Sequence, residues 1–191
     1  MKQTKTSYWS VMSSLVVLII CVACSSKKIV ERIEADTTID LSGRWNDTDS
    51  RQVSEAMIID CLNHSWITNH ATNSGGEKPV VIVGAIRNRS MEHVAISAFI
   101  NDIERAFINS GRVSIVASAT ERDEIRAEKE DQRVYSSLKT IKEMGLEYGA
   151  DYMMTGEINS IEDREGGTQV TYYQVDLTLT NIETNEKIWL G

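Results

Sequence analysis

Lys78-Pro79-Val80-Val81-Ile82-Val83-Gly84-Ala85-Ile86 is the stretch on which the fold turns. The single proline opens it, and a run of mostly β-branched apolar residues follows without polar alternation. A strand with one wet face alternates in polarity. A continuous apolar run reads instead as a strand buried on both faces, inside a sheet that has cover on either side.

Helical periodicity flanks this strand. Asp47-Thr48-Asp49-Ser50 is a cluster of N-cap residue types. Val53, Met57, Ile58, Cys61, Leu62 and Trp66 follow at helical spacing, which predicts a helix over about 49–68. Asn73-Ser74-Gly75-Gly76 is a turn. A second helix is expected over 92–110, with Ile96, Phe99, Ile100, Ile103, Ala106 and Phe107 on one side and Ser110-Gly111 as its stop. Val113-Ser114-Ile115-Val116-Ala117 is the next strand. Residues 121–133 are mostly charged and read as an exposed helix, with a solvated face the bland reading and an interaction face the sharper one. Arg126 and Glu130 are spaced for an i,i+4 pair on it. Val134, Leu138, Ile141 and Met144 restore helical spacing, so one long helix, or two with a break, should end at Gly149.

A third strand is expected over 152–158. Glu165-Gly166-Gly167 then turns the chain into a long strand over 168–180, where Tyr173, Val175, Leu177 and Leu179 face one way and Gln174, Asp176 and Thr178 the other. Thr184-Asn185-Glu186 makes a hairpin to Lys187-Ile188-Trp189-Leu190. Helices lie between the early strands and a meander finishes the chain. The expected architecture is α/β, a mixed β-sheet sandwiched by helices.

The amino terminus fixes the compartment. Lys2 and Lys5 precede an apolar run from Val11 to Ala23, which ends at Cys24. A positive n-region, a short apolar h-region and a small-residue cleavage point make a secretory signal. The run is shorter than the roughly 20 residues of a transmembrane helix. Val22-Ala23-Cys24 resembles a bacterial lipobox, with Cys21 at the position usually held by Leu; the resemblance implies cleavage before Cys24 and its acylation. An ordinary secretory signal or an uncleaved anchor is the alternative. The expected organisation is a signal peptide over 1–23, a short tether over 24–38 and one globular domain over 39–191. Fifteen extended tether residues reach at most about 50 Å. The sorting rules of lipoproteins, applied to Ser25, imply the periplasmic face of an outer membrane.

The chain carries 28 Asp and Glu against 20 Lys and Arg, a net charge of −8, and loss of 1–23 removes two of the lysines. Nucleic acid phosphates and anionic membrane surfaces repel such a chain. Membrane contact is therefore expected through the lipid on Cys24, and a nucleic-acid partner is not expected. With Cys24 acylated, Cys61 has no cysteine to pair with. It sits in an apolar helical pattern and reads as a small buried hydrophobe, with a reactive thiol as the alternative.

No catalytic or cofactor-binding constellation emerges, so the chain is not expected to be an enzyme, nor to need a cofactor or a metal. Cys61, His64 and His70 do not have a zinc-ligand spacing. Glu92-His93 is conceivable as an acid–base pair, but reads more simply as a helix-capping region. Gly75-Gly76 and Gly166-Gly167 are turn glycines. There is no G-x-S-x-G, P-loop or G-x-G-x-x-G.

Two loops stand out as candidate partner-binding elements. Ser42-Gly43-Arg44-Trp45-Asn46-Asp47 places a guanidinium and an indole before a helix, and Arg87-Asn88-Arg89-Ser90 places two guanidiniums after a buried strand. Loops on a rigid scaffold often carry function, and Trp and Arg are enriched at binding hot spots. The candidates are Arg44, Trp45, Arg87, Asn88 and Arg89. Against this stand simpler readings: Trp45 packs under the sheet, and Arg87 and Arg89 pair with nearby carboxylates.

Several of these segments together resemble the LpoB-type penicillin-binding-protein activator family: Asp40-Leu41-Ser42-Gly43-Arg44-Trp45-Asn46-Asp47-Thr48-Asp49-Ser50, Lys78 to Gly84, Arg87 to Ser90, Asp102-Ile103-Glu104-Arg105-Ala106, Gly149-Ala150-Asp151-Tyr152-Met153 and Asn181 to Trp189. The resemblance covers about 36–191. It implies an outer-membrane lipoprotein that docks on a class A penicillin-binding protein, a bifunctional peptidoglycan synthase, and stimulates it; a monomer is expected. It also implies a fold similar to the TolB N-terminal domain and to curli-secretion lipoproteins. The alternative function is a structural subunit of an envelope secretion or assembly complex. Some members of the family carry a long linker, whereas the tether here is short.

Overall fold

The computed structural model describes residues 43–191, apart from 138, 141, 143, 144 and 146. The signal peptide, the tether and Cys24 lie outside the described residues, as do Leu138, Ile141 and Met144; the charged helix expected to run on to Gly149 instead ends at Tyr135, where Ser136 turns to extended backbone, and the described residues from there to Gly149 form no helix. Among the described residues four helices and five strands follow in the order α1 (Asp47–Asn63), α2 (Trp66–Asn73), β1 (Val80–Asn88), α3 (Ile96–Ser110), β2 (Ser114–Ile115), α4 (Ala119–Tyr135), β3 (Tyr152–Glu165), β4 (Thr168–Asn181) and β5 (Lys187–Leu190). The strands form one mixed sheet, ordered β2-β1-β3-β4-β5. β1 runs parallel to β2 and β3, while β3, β4 and β5 are successively antiparallel. The α/β class expected from the sequence is therefore the one observed.

Val81, Ile82 and Val83 are all buried, as the unbroken apolar run of β1 requires. Val83 lies opposite Met154 and Ile86 opposite Gly156, so Gly84 and Ala85 together face one residue of β3. This bulge returns Ile86 to the face occupied by Val81 and Val83. That face forms the core with Met154, Ile158, Leu177 and Leu179. Helix α3 covers it with Phe99, Ile103 and Phe107, each fully buried, and ends at Gly111 with φ 65°. A left-handed residue there satisfies the last carbonyls without a Cβ penalty.

The helix expected over 49–68 is two. Asn46 caps α1, with its Oδ1 accepting from the amide of Thr48 at 2.8 Å, while Asp49 Oδ2 accepts the Asn46 amide at 2.9 Å. Helix α1 stops at Asn63 because the Trp66 indole N–H donates to the Cys61 carbonyl at 2.8 Å. This helix-end carbonyl, which also accepts the His64 amide at 3.3 Å, thus gains a side-chain donor, and the buried Trp66 starts α2 against Tyr152. Periodicity alone does not see this break, since both helices put apolar residues on the same core.

The other differences are of extent. Helix α3 begins at Ile96 rather than 92, because Glu92 is held in the preceding loop by both its carbonyl and its carboxylate. The strand after it shortens to Ser114–Ile115. β3 runs seven residues beyond Ile158, its polar end pairing residue by residue with the start of β4. Helix α4 buries none of its residues, in keeping with its charged sequence. Arg126 does not pair with Glu130. It grips Glu147 through two parallel bonds, of 3.0 and 2.8 Å, and also bonds Asp123. A planar guanidinium matches a facing carboxylate better than one on its own helix. No described helix is long and apolar enough to cross a membrane.

Candidate partner-binding surface

The two candidate loops, more than forty positions apart, meet at one end of the sheet. Their meeting point is Glu92, which contacts Tyr173 and Arg44. Tyr173 on β4 donates its hydroxyl proton to Glu92 Oε2 at 2.6 Å and accepts the Trp45 amide at 3.2 Å. Arg44 Nε approaches Glu92 Oε1 at 3.9 Å. Asn88 Nδ2 donates to the Glu92 carbonyl at 2.7 Å. Burial, and then the neighbouring Glu92 carboxylate, push the Tyr173 phenol above its ordinary pKa, so it stays a donor.

Trp45 takes largely the packing role. Its indole N–H donates to the buried Ser50 hydroxyl at 2.7 Å, and its ring meets Phe99 and Tyr173 edge-on at 5.9 and 5.5 Å. An aromatic cluster with its N–H satisfied is a structural anchor that ties the entering chain to α3 and β4. Beside it lies a groove of about 480 Å³ lined by Trp45, Asp49, Val53, Met57, Tyr172 and Val175.

Asn88 is taken up by its own loop. Its Oδ1 accepts from the amide and the hydroxyl of Ser90, at 2.9 and 2.6 Å, forming a side-chain-capped turn. Ser160 then accepts the Met91 amide at 3.0 Å and fixes this turn against β3. Met91 is left exposed.

Arg87 and Arg89 point to the other side of the sheet. The bulge sets Ile86 and Asn88 on the core-side register, so the residues between and after them face outward. Glu157 lies opposite Arg87 in the ladder, and Arg89 Nε approaches Glu157 Oε2 at 3.6 Å. Both arginines are exposed. Exposed pairs of this kind are worth little to stability, with a median of about 0–1 kcal/mol. Two guanidiniums thus lie exposed at one strand end, with Arg89 beside Glu157. Arg44, Trp45 and Asn88 thus gather at the corner around Glu92, and Arg87 and Arg89 lie on the outer face of the same strand end.

The remaining titratable candidates do not converge. Cys61 is fully buried and its thiol is pushed up to about 12 by burial, which describes an inert core residue. His64 is half exposed beside Asp60, His70 Nδ1 lies 3.0 Å from the Tyr152 hydroxyl, and His93 is exposed in the loop before α3. Among the described residues no group of three His, Cys, Asp or Glu is placed to hold a metal ion.

The family model described as peptidoglycan-synthase activator LpoB matches residues 49–191. The chain belongs to that family. The match takes in every described helix and strand except the first two residues of α1. Among solved structures, the LpoB C-terminal domain from Escherichia coli has 15% sequence identity and a TM-score of 0.47, over 75% of this chain and 95% of that one. The NMR structure of E. coli LpoB has 12% identity and a TM-score of 0.38, over 87% and 79%. Lipoprotein GNA1162 from Neisseria meningitidis has 10% identity and a TM-score of 0.37, over 59% and 78%. No curated protein gives a significant match.

Within an LpoB-family domain, then, this chain presents a corner built on Glu92 and Tyr173 and an outer strand end carrying Arg87 and Arg89. The arginines and Trp45 stand out in the sequence by residue type. The bond between Glu92 and Tyr173, 81 positions apart, leaves no local signal there.

Proposed function

We propose that the protein is a lipid-anchored, non-enzymatic regulator that binds a class A penicillin-binding protein and stimulates peptidoglycan synthesis. Membership of the activator family over residues 49–191 carries this reading. The proposed organisation is a signal peptide over 1–23, a tether over 24–38 and a regulatory domain over 39–191. Acylated Cys24 holds the domain at the periplasmic face of the outer membrane. Exposed guanidiniums at one strand end and an aromatic corner tied by internal bonds support a contact role.

The mechanism is allosteric. Docking on a non-catalytic region biases the synthase toward its active state, a coupling typically of ~1–3 kcal/mol. Because the tether reaches at most about 50 Å, the docking region of the synthase must stand well out from the inner membrane. Crosslinking in intact cells, followed by recovery of the Cys24-anchored protein, tests the reading. A class A synthase as the main recovered partner supports it. Recovery of secretion components alone would transfer the protein to an envelope assembly complex.

A further inference from the structure

The β3–β4 hairpin outruns its sheet. β1 pairs with β3 no farther than Asn88 opposite Ile158, and on the other edge the last bonds of β4 join Leu177 to Gly191. From Asn159–Gln174 to Glu165–Thr168 the two strands pair only with each other. At ~3.3 Å per residue these seven pairs project roughly 23 Å. A two-stranded ribbon is marginal by itself, and one that persists usually packs its apolar groups away. This one displays them. Ile161 stands directly opposite Tyr172, with Val170 next on the same side, and they are 57%, 58% and 43% exposed. They lie on the face opposite to Ile158 and Leu177, away from the core.

Charge borders this apolar strip on the side of the hairpin turn. Glu162, Asp163, Arg164 and Glu165 follow one another along β3. Arg164 is tied to Glu162 at 2.7 Å, while Asp163 and Glu165 have no ion pair among the described residues. Asp163 faces Val170 and so shares the apolar side.

We propose that this ribbon face is a docking surface for a protein partner presenting an apolar patch bordered by Lys and Arg. Charge complementarity argues for that occupant. Packed ribbon on ribbon, a second copy would bring the Asp163 and Glu165 carboxylates together, and an anionic bilayer would repel them. Tyr172, with Ile161 beside it, is the kind of rigid aromatic anchor that carries binding energy, and the acidic border supplies steering and register. The identity of the partner as the synthase rests on the function proposed above; the chemistry of the face does not.

The test places a photo-crosslinking residue at Tyr172 in the full lipoprotein in its own cells, with Ile59 and Ile108, exposed on α1 and α3, as control positions. The captured protein is then purified and its affinity measured for Ile161→Ser/Tyr172→Ser and for Asp163→Lys/Glu165→Lys. All four positions are exposed, and circular dichroism confirms folding. The expected result is one heterologous adduct at Tyr172 and not at the controls, at least tenfold weaker binding for each double variant, and a salt dependence that the lysine variant loses. If that adduct is a class A synthase, both proposals stand. If it is another protein that meets the same criteria, the ribbon stands and the synthase reading falls. Adducts only with itself or with lipid, no adduct at Tyr172, or unchanged affinity in both variants would overturn the proposal.

Discussion

The Tyr173 hydroxyl donates to the Glu92 carboxylate across 2.6 Å, joining a strand to a loop 81 positions earlier in the chain. The same oxygen accepts the Trp45 amide, so one phenol closes the corner on which three segments meet. Tyr173→Phe keeps the ring and removes both bonds. Leaving partly buried groups unsatisfied costs about 1–3 kcal/mol. Thermal unfolding of the variant should fall by ~2–4 °C per kcal/mol for a chain of this size. An unchanged Tm would mean that water replaces the phenol without loss.

Cys61 sets a second expectation, in the alkaline range. Burial lifts its folded pKa to about 12 from 9.0, and burial also raises Tyr152 above its ordinary value. Between those limits the unfolded chain has lost the thiol proton while the folded chain keeps it. The folded state therefore binds more protons, and stability falls as pH rises from about 9 toward 12. Denaturant midpoints measured at pH 8 and pH 10.5 should show this fall, and Cys61→Ala should flatten it. In the native state at neutral pH a thiol reagent should react with Cys61 only through unfolding.

Gly156 is a close-approach position in the middle of β3. A Cβ there would fall on the Asp176 carbonyl oxygen and lie 2.5 Å from Leu177 Cδ2. Backbone cannot yield as a flexible side chain does. Gly156→Ala should destabilise by about 1–3 kcal/mol or more, as overpacking does. Gly166→Ala provides a contrast, because its obstacle is a φ of 56° with open space around it.

Arg87→Ala/Arg89→Ala separates folding from recognition. Both side chains are exposed, and the Glu157 contact is long, so the variant should melt within a degree or two of wild type. If the strand end meets a partner, binding should weaken and lose part of its salt dependence. A large drop in Tm would instead make the pair structural.

How much of this was legible in the sequence depends on how local each cause is. The unbroken Val80–Val83 run declared a doubly buried strand, and alternation in β4 placed Leu177 and Leu179 inside. Both signals are intrinsic to one segment. The helix break at His64 was hidden, since its cause is a Trp66 side chain reaching back to Cys61. The extension of β3 past Ile158 was hidden for a different reason. Residues 159–165 are polar except Ile161, and none of them is buried, so no buried face writes a period into them. At the site, Arg87 and Arg89 announced themselves as cations after a core strand. Glu92 and Tyr173 did not, because each is ordinary until the fold brings them together.

The central claim is activation of a synthase, and the most direct measurement is the rate of glycan-strand polymerisation by a purified class A penicillin-binding protein from the same cell. The account predicts a saturable rise in rate as the full protein is added, lost in the Arg87→Ala/Arg89→Ala or Ile161→Ser/Tyr172→Ser variants if those faces make the contact. A rate that stays flat at every concentration, with no complex detected, would contradict it.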